Sequence, residues 1–450
     1  MGQDSNAGLV EQVLAALSEE VRGLATWLVE HRAGDLREVE GELTRRGHRL
    51  LVGLLGTVLG ARAGEGVRQG VRCRSCAGEV AWQGGRPKAL HLPVGDVPLA
   101  RDYARCAACR AGWAPLDEQL GVDQSGRSPR LVEALALPGT ELPFRPAAER
   151  LGRLRGLWAG ASQIEAVTEG AGRAPADQQD ATARAALAPT AAPVPVAPER
   201  GEAELPWVVV LLDGVFVPHR DGHHEVKVAA LTRAGPARDP AAGRQPRLGR
   251  WRYVVEAAGL ERFGRLVWHE AQRPGADGAA RVLVIADGAA WTWELADFYF
   301  PRAMRLLDYW HATQHLRALG AARFGQGDRR IPAWVGKARA RLARGELAAL
   351  LAGWARADPA HAALFAEELA YFRHLAPKLA YDTARASGMP IGSGAVESAN
   401  RHVVGVPVKQ AGMRRIEPGP RGVLALRALL RSGTWDAGWD LHPLPVTLAA

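Results

Sequence analysis

Long apolar runs are missing from this chain of 450 residues. A transmembrane helix needs about 20 consecutive, mostly apolar residues, so we predict that no segment spans a membrane. The first residues, MGQDSNAGLVEQ, also lack the basic region followed by an apolar one that marks a signal peptide. Together these absences favour a cytoplasmic protein with no membrane partner.

Cysteine is scarce, and all four residues fall within one short part of the chain. They form two C-x2-C pairs, Cys73 with Cys76 and Cys106 with Cys109. Each pair holds two thiolates on one tight turn, and two turns complete a tetrahedral set of sulfur ligands that suits Zn²⁺. Disulfides are the alternative, although a reducing cytoplasm disfavours them. Because four sulfurs leave no coordination position open, this zinc would be structural.

The segment between the two pairs, GRPKALHLPVGDVPLARDYARC, has the short strands and turns of a zinc ribbon, which we place at residues 66–122. Basic residues surround the cysteines: Arg72, Arg74, Arg86, Lys88, Arg101, Arg105 and Arg110. The ribbon could therefore contact nucleic acid, or it could simply present a basic face to solvent.

Acidic residues are outnumbered by basic ones, 48 Asp and Glu against 57 Lys and Arg, which gives a net charge of +9 and a pI near 9.8. Most of the basic residues are arginines, whose guanidinium groups bind phosphate through paired hydrogen bonds. The excess favours an anionic partner, with nucleic acid as the first choice. The alternative explanation is a GC-rich genome, which would raise the content of Ala, Gly and Arg alike.

Three further segments precede the last part of the chain. Residues 1–65 have Leu and Val three and four positions apart, which predicts a helical region. Residues 123–173 are predicted to form a helix-turn-helix-like DNA-binding region, in which residues 143–173 contain two short helices around a glycine-containing bend. Any other helical hairpin would have the same pattern, and Ser162 would cap the second helix. Residues 174–204 are rich in Ala and Pro, a composition that disfavours helix and sheet and predicts a semi-extended linker.

The pattern then changes to strands and helices in alternation. Residues 207–217, 224–234 and 251–257 predict three strands in a meander, and ARVLVIA and AMRLL predict two more, each followed by a helix. This order predicts an α/β domain with a mixed five-stranded sheet. The domain and its insertion occupy three ranges: 205–317 and 388–440 for the α/β part, and 318–387 for an all-helical insertion.

Two aspartates close apolar runs and precede a glycine: Asp213 after VVVLL and Asp287 after VLVIA. A D-G dipeptide alone is often only a turn, but groups at the ends of strands in one sheet face its functional crevice. Grouped carboxylates repel one another, and Mg²⁺ or Mn²⁺ relieves this repulsion. Two such ions can activate a nucleophile and stabilise the leaving oxygen in phosphodiester chemistry. A site that binds two ions needs a third carboxylate beside the two aspartates.

Glu397 is the candidate for that third carboxylate. It follows the turn PIGSG, whose small residues let a helix bring an acid close to the sheet. The alternative is that Glu397 only complements the helix dipole.

Asp308 and His311, in DYWH, lie one helical turn apart near the other acids. They could belong to the same site, or Asp308 could cap its helix while His311 is a packed histidine.

Several of these motifs together resemble the bacterial insertion-sequence DDE transposases of the ISKra group. The matching pieces are LLDGVFVP with HEVKVA, VIADGAAWTWELADFYFPRAMRLLDYWHATQHL, PIGSGAVESANRHVVG and KQAGM, with the zinc ribbon ahead of them. The similarity covers most of residues 70–440. It implies a ribonuclease H-like catalytic domain in which Asp213, Asp287 and Glu397 are the DDE triad. Asp308 and His311 would be the D-x-x-H signature of related enzymes.

The resemblance also implies an activity and its partners. Such an enzyme binds the double-stranded terminal inverted repeats of its element, cuts them with Mg²⁺, and joins the 3′-hydroxyl to target DNA. It would act as an oligomer in the bacterial cytoplasm, at the nucleoid. Four basic residues would contact the DNA backbone: Lys409, Arg414, Arg415 and Arg401. Two alternatives stay open, namely a transposase-derived DNA-binding regulator or partner subunit, and a nuclease of the same fold that only hydrolyses.

Overall fold

The structure is a computed structural model of the chain. It describes residues 2–31, 35–64, 68, 70–188, 202, 204–219, 222–236, 245–257, 259–274, 281–355, 362–405 and 419–440. Within these ranges, no helix combines the length and the apolar character that crossing a bilayer requires. The chain divides into two compact units: a first unit of Met1–Gly139, Phe144–Ala171 and Trp439–Ala450, and a second unit of Thr140–Pro143 and Gly172–Gly438.

The first unit begins with two long helices, followed by a small antiparallel sheet. Its elements are α1 (Gly2–Glu30), α2 (Leu36–Gly64), β1 (Val80–Leu92), β2 (Gly95–Cys106) and β3 (Gly112–Trp113). The two helices pack along each other, and α2 also packs on β2. Leu90, Val97 and Leu99 alternate along the sheet and are buried under apolar side chains of α2. Strands β1 and β2 are therefore longer than the short strands expected from the sequence, because α2 covers one face of the hairpin.

Four more helices follow: α3 (Pro115–Gln119), α4 (Pro129–Glu141), α5 (Phe144–Arg155) and α6 (Ala161–Ala186). Helices α5 and α6 match the pair expected around a glycine-containing bend. The prediction that Ser162 caps the second helix is wrong, because the backbone N–H groups of Gln163 and Ile164 donate to the carbonyl of Gly160. Gly160 thus lies at the capping position and Ser162 lies inside the first turn.

Helix α6 also corrects the predicted linker at 174–204, since it continues through Pro175 to Ala186. Contacts with α7 (Leu260–Gln272) explain this: Arg262 donates to the carbonyl of Ala176 at 2.8 Å and to the buried carboxylate of Asp180 at 3.2 Å. Tertiary contacts therefore outweigh the poor helix propensity of this segment. Residues 189–201 and 203 of the predicted linker lie outside the described residues.

The second unit is mixed α/β, built on one mixed sheet. Its six strands are β4 (Trp207–His219), β5 (Gly222–Gly235), β6 (Arg247–Leu248), β7 (Arg252–Glu256), β8 (Arg281–Ala286) and β9 (Met304–Leu307). The order is β6-β5-β4-β8-β9, with β7 also paired to β5. Strands β4, β8 and β9 are parallel, and β5 pairs with antiparallel neighbours. The five-stranded prediction missed β6, a two-residue strand that pairs with the end of β5 beyond β7.

The core of this unit forms around the run VVVLL in β4, in which every residue from 208 to 212 is almost completely buried. Such a run is typical of a strand with parallel neighbours and helices on both faces. Helix α7 places Phe263, Val267 and Ala271, four positions apart, against the sheet. Helices α8 (Ala290–Tyr299) and α9 (Tyr309–Phe324) follow β8 and β9.

The remaining elements are helical. They are α10 (Ile331–Leu342), α11 (Leu347–Ala355), α12 (Ala362–His374), a 3-10 turn (Ala376–Lys378), α13 (Tyr381–Ala386), α14 (Gly394–Ala399), a π-helical turn (Asn400–Gly405), α15 (Gly419–Arg431) and α16 (Trp435–Asp440). Residues 318–355 and 362–387 contain helices and no strand. Helix α12 packs against α9, and α14 packs against β4 and β5.

Candidate functional site

The four cysteine sulfurs of the first unit lie together. Sγ of Cys73 is 3.4 Å from Sγ of Cys109, and Sγ of Cys76 is 3.5 Å from Sγ of Cys106. All four lie within 4.8 Å of one another, and no disulfide joins them. Zinc–sulfur bonds of about 2.3 Å in a tetrahedron place the sulfurs about 3.8 Å apart, which fits this cluster. The four cysteines can therefore bind a metal such as zinc, and the arrangement is compatible with a zinc ribbon.

Two backbone turns of the same form hold these sulfurs. The N–H of Ala77 donates to the carbonyl of Cys73, and the N–H of Arg110 donates to the carbonyl of Cys106. Ala77 and Arg110 have φ values of 56° and 60°, the left-handed conformation that turns the chain back after each second cysteine. Hydrogen bonds from the backbone of Ser75 and of Cys109 are the main causes that lower the pKa of Cys73, to about 6, and of Cys106. These two sulfurs favour the thiolate form that binds metals, whereas the pKa values of Cys76 and Cys109 are raised.

The basic residues near the cluster divide into two groups. Arg101 is buried and pairs with Asp117 at 2.7 Å, and the half-buried Lys88 lies 3.4 Å from the same acid, so these two cations tie the sheet to α3. The second group is exposed and consists of Arg72, Arg74, Arg86, Arg105 and Arg110, of which Arg74 pairs with Glu118. This exposed group could reach a nucleic-acid backbone without breaking a buried ion pair.

The register of the sheet in the second unit places two of the predicted acids side by side. Leu212 of β4 pairs with Ala286 of β8 in parallel register, so Asp213 and Asp287 occupy the next, neighbouring positions. Strand β8 ends at Ala286, but β4 continues to His219 because its other edge still pairs with β5. Asp213 therefore lies inside β4 and not at its end, as the predicted strand 207–217 implies, and the parallel pairing with β8 ends just before it.

Asp213 is half-buried, and each of its carboxylate oxygens accepts a hydrogen bond. The N–H of Gly214 donates to Oδ1 at 2.8 Å, and the side-chain amide of Asn400 donates to Oδ2. Burial, followed by the charges of Asp287 and Glu397, raises the pKa of Asp213 to about 6 against the opposing effect of these hydrogen bonds. The three acids are thus near enough for their charges to interact.

Glu397 lies in the first turn of α14, and its side chain is exposed. Asn400, which bonds Asp213, follows three residues later and so lies on the same side of the helix. Potential metal ligands are the side chains of His, Cys, Asp and Glu. Within the described part of the chain, the four cysteines are the only group of three or more of these residues whose ligand atoms all lie within 4.8 Å of one another. The three carboxylates are therefore spaced more widely than the sulfurs.

Asp287 begins the turn from β8 into α8. Its Oδ1 accepts a hydrogen bond from the N–H of Ala289 at 3.0 Å. Gly288 has a φ of +104°, a conformation that L side chains rarely adopt, and a Cβ there would lie 3.0 Å from the hydroxyl oxygen of Tyr371. Glycine is needed at this position for the turn and for the close approach of α12.

Asp308 extends the same row of acids by one strand, because Ala286 pairs with Leu307 of β9. Its carboxylate is buried and fully engaged: Oδ2 accepts from the N–H of His311 at 2.9 Å, and Oδ1 accepts from the N–H of Ser393 at 2.7 Å. Asp308 is therefore a helix cap, as the second of the two alternatives had it. Both oxygens of the Asp308 carboxylate accept a hydrogen bond in this cap.

His311 is half-buried near Asp287. Burial and then the neighbouring His315 lower the pKa of His311, while the charges of Asp287 and Asp308 oppose this effect. The rings of His311 and His315 are 5.1 Å apart, and His315 stacks on Tyr371 at 3.8 Å. The histidine is thus packed against a ring cluster and also lies close to the acids.

Three residues at this end of the sheet were not found from the sequence: Asn400, His315 and Tyr371. Asn400 had a usable signal, since it lies three positions after Glu397 in the segment ESAN and so shares its helix face. His315 had a similar signal, since it lies four positions after His311 on the same helix. Tyr371 had none, because the packing of α12 on α9 brings it to this end of the sheet.

The predicted DNA-binding residues are only partly described. Arg401 is exposed and directly follows Asn400. Lys409, Arg414 and Arg415 lie outside the described residues. A scan against protein family models and a search of curated proteins each found no match to this chain.

Proposed function

We propose that the protein is a DDE-type DNA transposase that cuts the ends of a mobile element and joins them to target DNA. The main support is the position of Asp213 and Asp287 side by side where β4 and β8 stop pairing, with Glu397 and Asn400 of the α14 segment beside them. Like charges gathered in this way are unfavourable unless a cation or a proton compensates them.

The proposal includes a ribonuclease H-like fold for the α/β part. The long antiparallel hairpin β4–β5, with parallel strands β8 and β9 added on the β4 side, supports this assignment. The position of the third acid on a helix that follows a long helical segment supports it as well. The motifs that resemble ISKra-group transposases are the link from this fold to transposition.

The residues at the site fit Mg²⁺ or Mn²⁺. Carboxylate oxygens are the ligands that these ions prefer, and the amide oxygen of Asn400 is buried with no hydrogen-bond partner in the described structure. When bound, such cations lower the pKa of water and stabilise a leaving oxygen in phosphodiester chemistry. Asp213 and Asp287 would hold them from the sheet, and exposed Glu397 would complete the site from α14.

The other side chains have supporting roles in this proposal. Asn400 orients the Asp213 carboxylate through its hydrogen bond. The lowered pKa of His311 favours its neutral form. In this proposal the imidazole would lie near the scissile phosphate and form a hydrogen bond with it. Arg401, Lys409, Arg414 and Arg415 would bind the phosphate backbone, so affinity for double-stranded DNA should fall steeply with salt.

A cleavage assay tests this function. The substrate is a supercoiled plasmid that carries the gene with its native flanking DNA, incubated with the purified protein and Mg²⁺. We expect strand cleavage that falls about 100-fold or more in Asp287→Asn and in Glu397→Gln, since each removes a metal ligand. The matched control is Asp297→Asn, an exposed acid of α8 that pairs with Arg305. If both site variants cut as the unaltered protein does, the proposal is wrong.

A second candidate is a transposase-derived protein that binds DNA without cutting it, as a regulator or partner subunit. The wide spacing of the three carboxylates and the exposed arginines near the cysteines favour it. In that case, salt-sensitive DNA binding is expected in the absence of cleavage, and Asp287→Asn leaves binding unchanged. A nuclease that only hydrolyses would cut DNA but fail to join a pre-cut end bearing a 3′-hydroxyl.

A further inference from the structure

A buried hydroxyl group lies beside the second acid and has no hydrogen-bond partner in the described structure. It belongs to Tyr371 of α12, in the helical segment between β9 and α14. A buried donor without a partner is unfavourable by about 1–3 kcal/mol, so its persistence calls for an explanation. Tyr381, a nearby tyrosine, shows the usual case, because its hydroxyl donates to the carbonyl of Leu307 at 2.9 Å.

The Tyr371 hydroxyl is directed at the turn that holds Asp287. A Cβ on Gly288, the next residue, would lie 3.0 Å from the hydroxyl oxygen. Burial, followed by the charges of Asp287 and Glu368, raises the pKa of Tyr371, so the phenol keeps its proton and remains a donor. Oδ1 of Asp287 already accepts from the backbone of Ala289, and no hydrogen bond to Oδ2 is present in the described structure, so Oδ2 is available to accept from a phenol.

The phenol ring is itself held in place from two sides. It stacks on His315 of α9, with the ring centroids 3.8 Å apart and the planes within 20°. Nδ1 of His315 lies 2.7 Å from Oε2 of Glu368, which is three residues before Tyr371 on α12. Glu368 thus holds the imidazole, and the imidazole holds the phenol ring, so that the position of the hydroxyl oxygen is fixed.

We infer that Tyr371 is a positioning residue for Asp287, whose carboxylate accepts the Tyr371 hydrogen bond when a divalent cation is bound. The inference rests on the proposed function and assigns a role to the helical segment, which is to hold one metal-binding acid through Tyr371, His315 and Glu368. The unpaired hydroxyl, its position against the turn at Gly288 and the stacking of its ring on His315 are the observations that carry this inference. We expect the hydrogen bond to contribute to cation affinity.

The test is a titration of the full-length, zinc-loaded protein with Mn²⁺, in which free Mn²⁺ is measured by electron paramagnetic resonance. We expect Tyr371→Phe to bind Mn²⁺ about 10-fold more weakly, because a hydrogen bond to a charged group is lost. Urea unfolding without Mn²⁺ should be unchanged or shifted to higher urea, since only an unpaired hydroxyl is removed. Tyr299→Phe is the matched control, because its hydroxyl donates to the backbone carbonyl of Glu261 on the surface at 3.3 Å.

Two further variants separate the possible outcomes. Asp287→Asn should abolish the Mn²⁺ site, and equal binding by this variant and the unaltered protein would refute the proposed function itself. If Asp287→Asn loses the site while Tyr371→Phe keeps full affinity, only the role of Tyr371 is refuted. A loss of cation-free stability in Tyr371→Phe would show a structural role and overturn the inference as well. Glu368→Ala should weaken Mn²⁺ binding less than Tyr371→Phe, because it acts through His315.

Discussion

The backbone N–H of Ser393 donates a 2.7 Å hydrogen bond to Oδ1 of Asp308, which joins two parts of the chain 85 positions apart. The other oxygen of Asp308 accepts from the N–H of His311. One buried carboxylate therefore caps α9 and also holds the turn that leads into α14. Because α14 carries Glu397 and is followed by Asn400, the placement of both relative to the sheet depends on Asp308.

Replacing Asp308 should destabilise the second unit. Asp308→Ala leaves the N–H groups of His311 and Ser393 without their acceptor, and we expect a loss of about 2–4 kcal/mol in the free energy of unfolding. Equilibrium urea denaturation measures this. Asp308→Asn, which keeps one carbonyl oxygen, should lose less. An Ala variant as stable as the unaltered protein would show that neither hydrogen bond matters for stability.

The raised pKa of Asp213 predicts a specific pH dependence in Mg²⁺-free buffer. The carboxyl has a pKa of about 6 in the folded chain against an ordinary value of 3.8, so its stabilising contribution is present at low pH and is lost as the pH rises through about 6. Asp213→Asn removes the ionised form. We expect this variant to be more stable than the unaltered protein by about 1–3 kcal/mol at pH 8 and equally stable near pH 4.

Urea midpoints measured between these two pH values check the prediction for Asp213. Asp297→Asn serves as the control, because its exposed side chain pairs only at the surface and should show no such trend. Greater stability of the unaltered protein at pH 8 would mean that Asp213 has compensating contacts beyond Gly214 and Asn400.

The cysteine cluster should hold one zinc ion per chain. Cys106→Ser should lose this zinc, since Cys106 is a buried member of the cluster at the end of β2. Loss of metal should also expose the β1–β3 region to trypsin, because structural zinc contributes directly to the folding of such small sheets.

Elemental analysis and limited proteolysis are the measurements for the zinc prediction. Ser75→Ala is the matched control within the same turn, since Ser75 affects the Cys73 sulfur through its backbone, which the substitution retains. Zinc retained by Cys106→Ser would contradict a four-sulfur site.

Asp180 should be critical for the second half of α6. Its buried carboxylate pairs with Arg262 at 3.2 Å and with Arg265 at 3.1 Å, so Asp180→Ala removes the acid that these two arginines share. Each arginine keeps a second acidic partner, Glu256 for Arg262 and Glu261 for Arg265. We expect a loss of about 2–4 kcal/mol and faster amide exchange in residues 176–186. Asp177→Ala, one turn earlier and exposed, should change stability by less than about 0.5 kcal/mol. Similar effects of the two substitutions would contradict this account.

The sequence by itself was sufficient for features that depend on local patterns. The C-x2-C spacing identified the cysteines that cluster, because each pair forms its own turn whatever surrounds it. Runs such as VVVLL and VLVIA identified strands of the sheet, since their apolar character over a strand length requires burial. Asp213 and Asp287 became candidates because each follows such a run, and their adjacency needed only the parallel register of β4 and β8.

Only the tertiary structure decided features that depend on packing between distant segments. Helix α6 continues past Pro175 because Arg262 of α7 donates to the carboxylate of Asp180 and to the carbonyl of Ala176. The helix propensity of residues 174–186 gives no indication of these contacts. Asp308 is a cap because Ser393 approaches it across 85 positions. The Tyr371 hydroxyl lies against the turn at Gly288 because α12 packs on α9 and Gly288 has no side chain. These arrangements are set by contacts between segments, and the free energy of such contacts is a property of the folded chain and not of any single stretch.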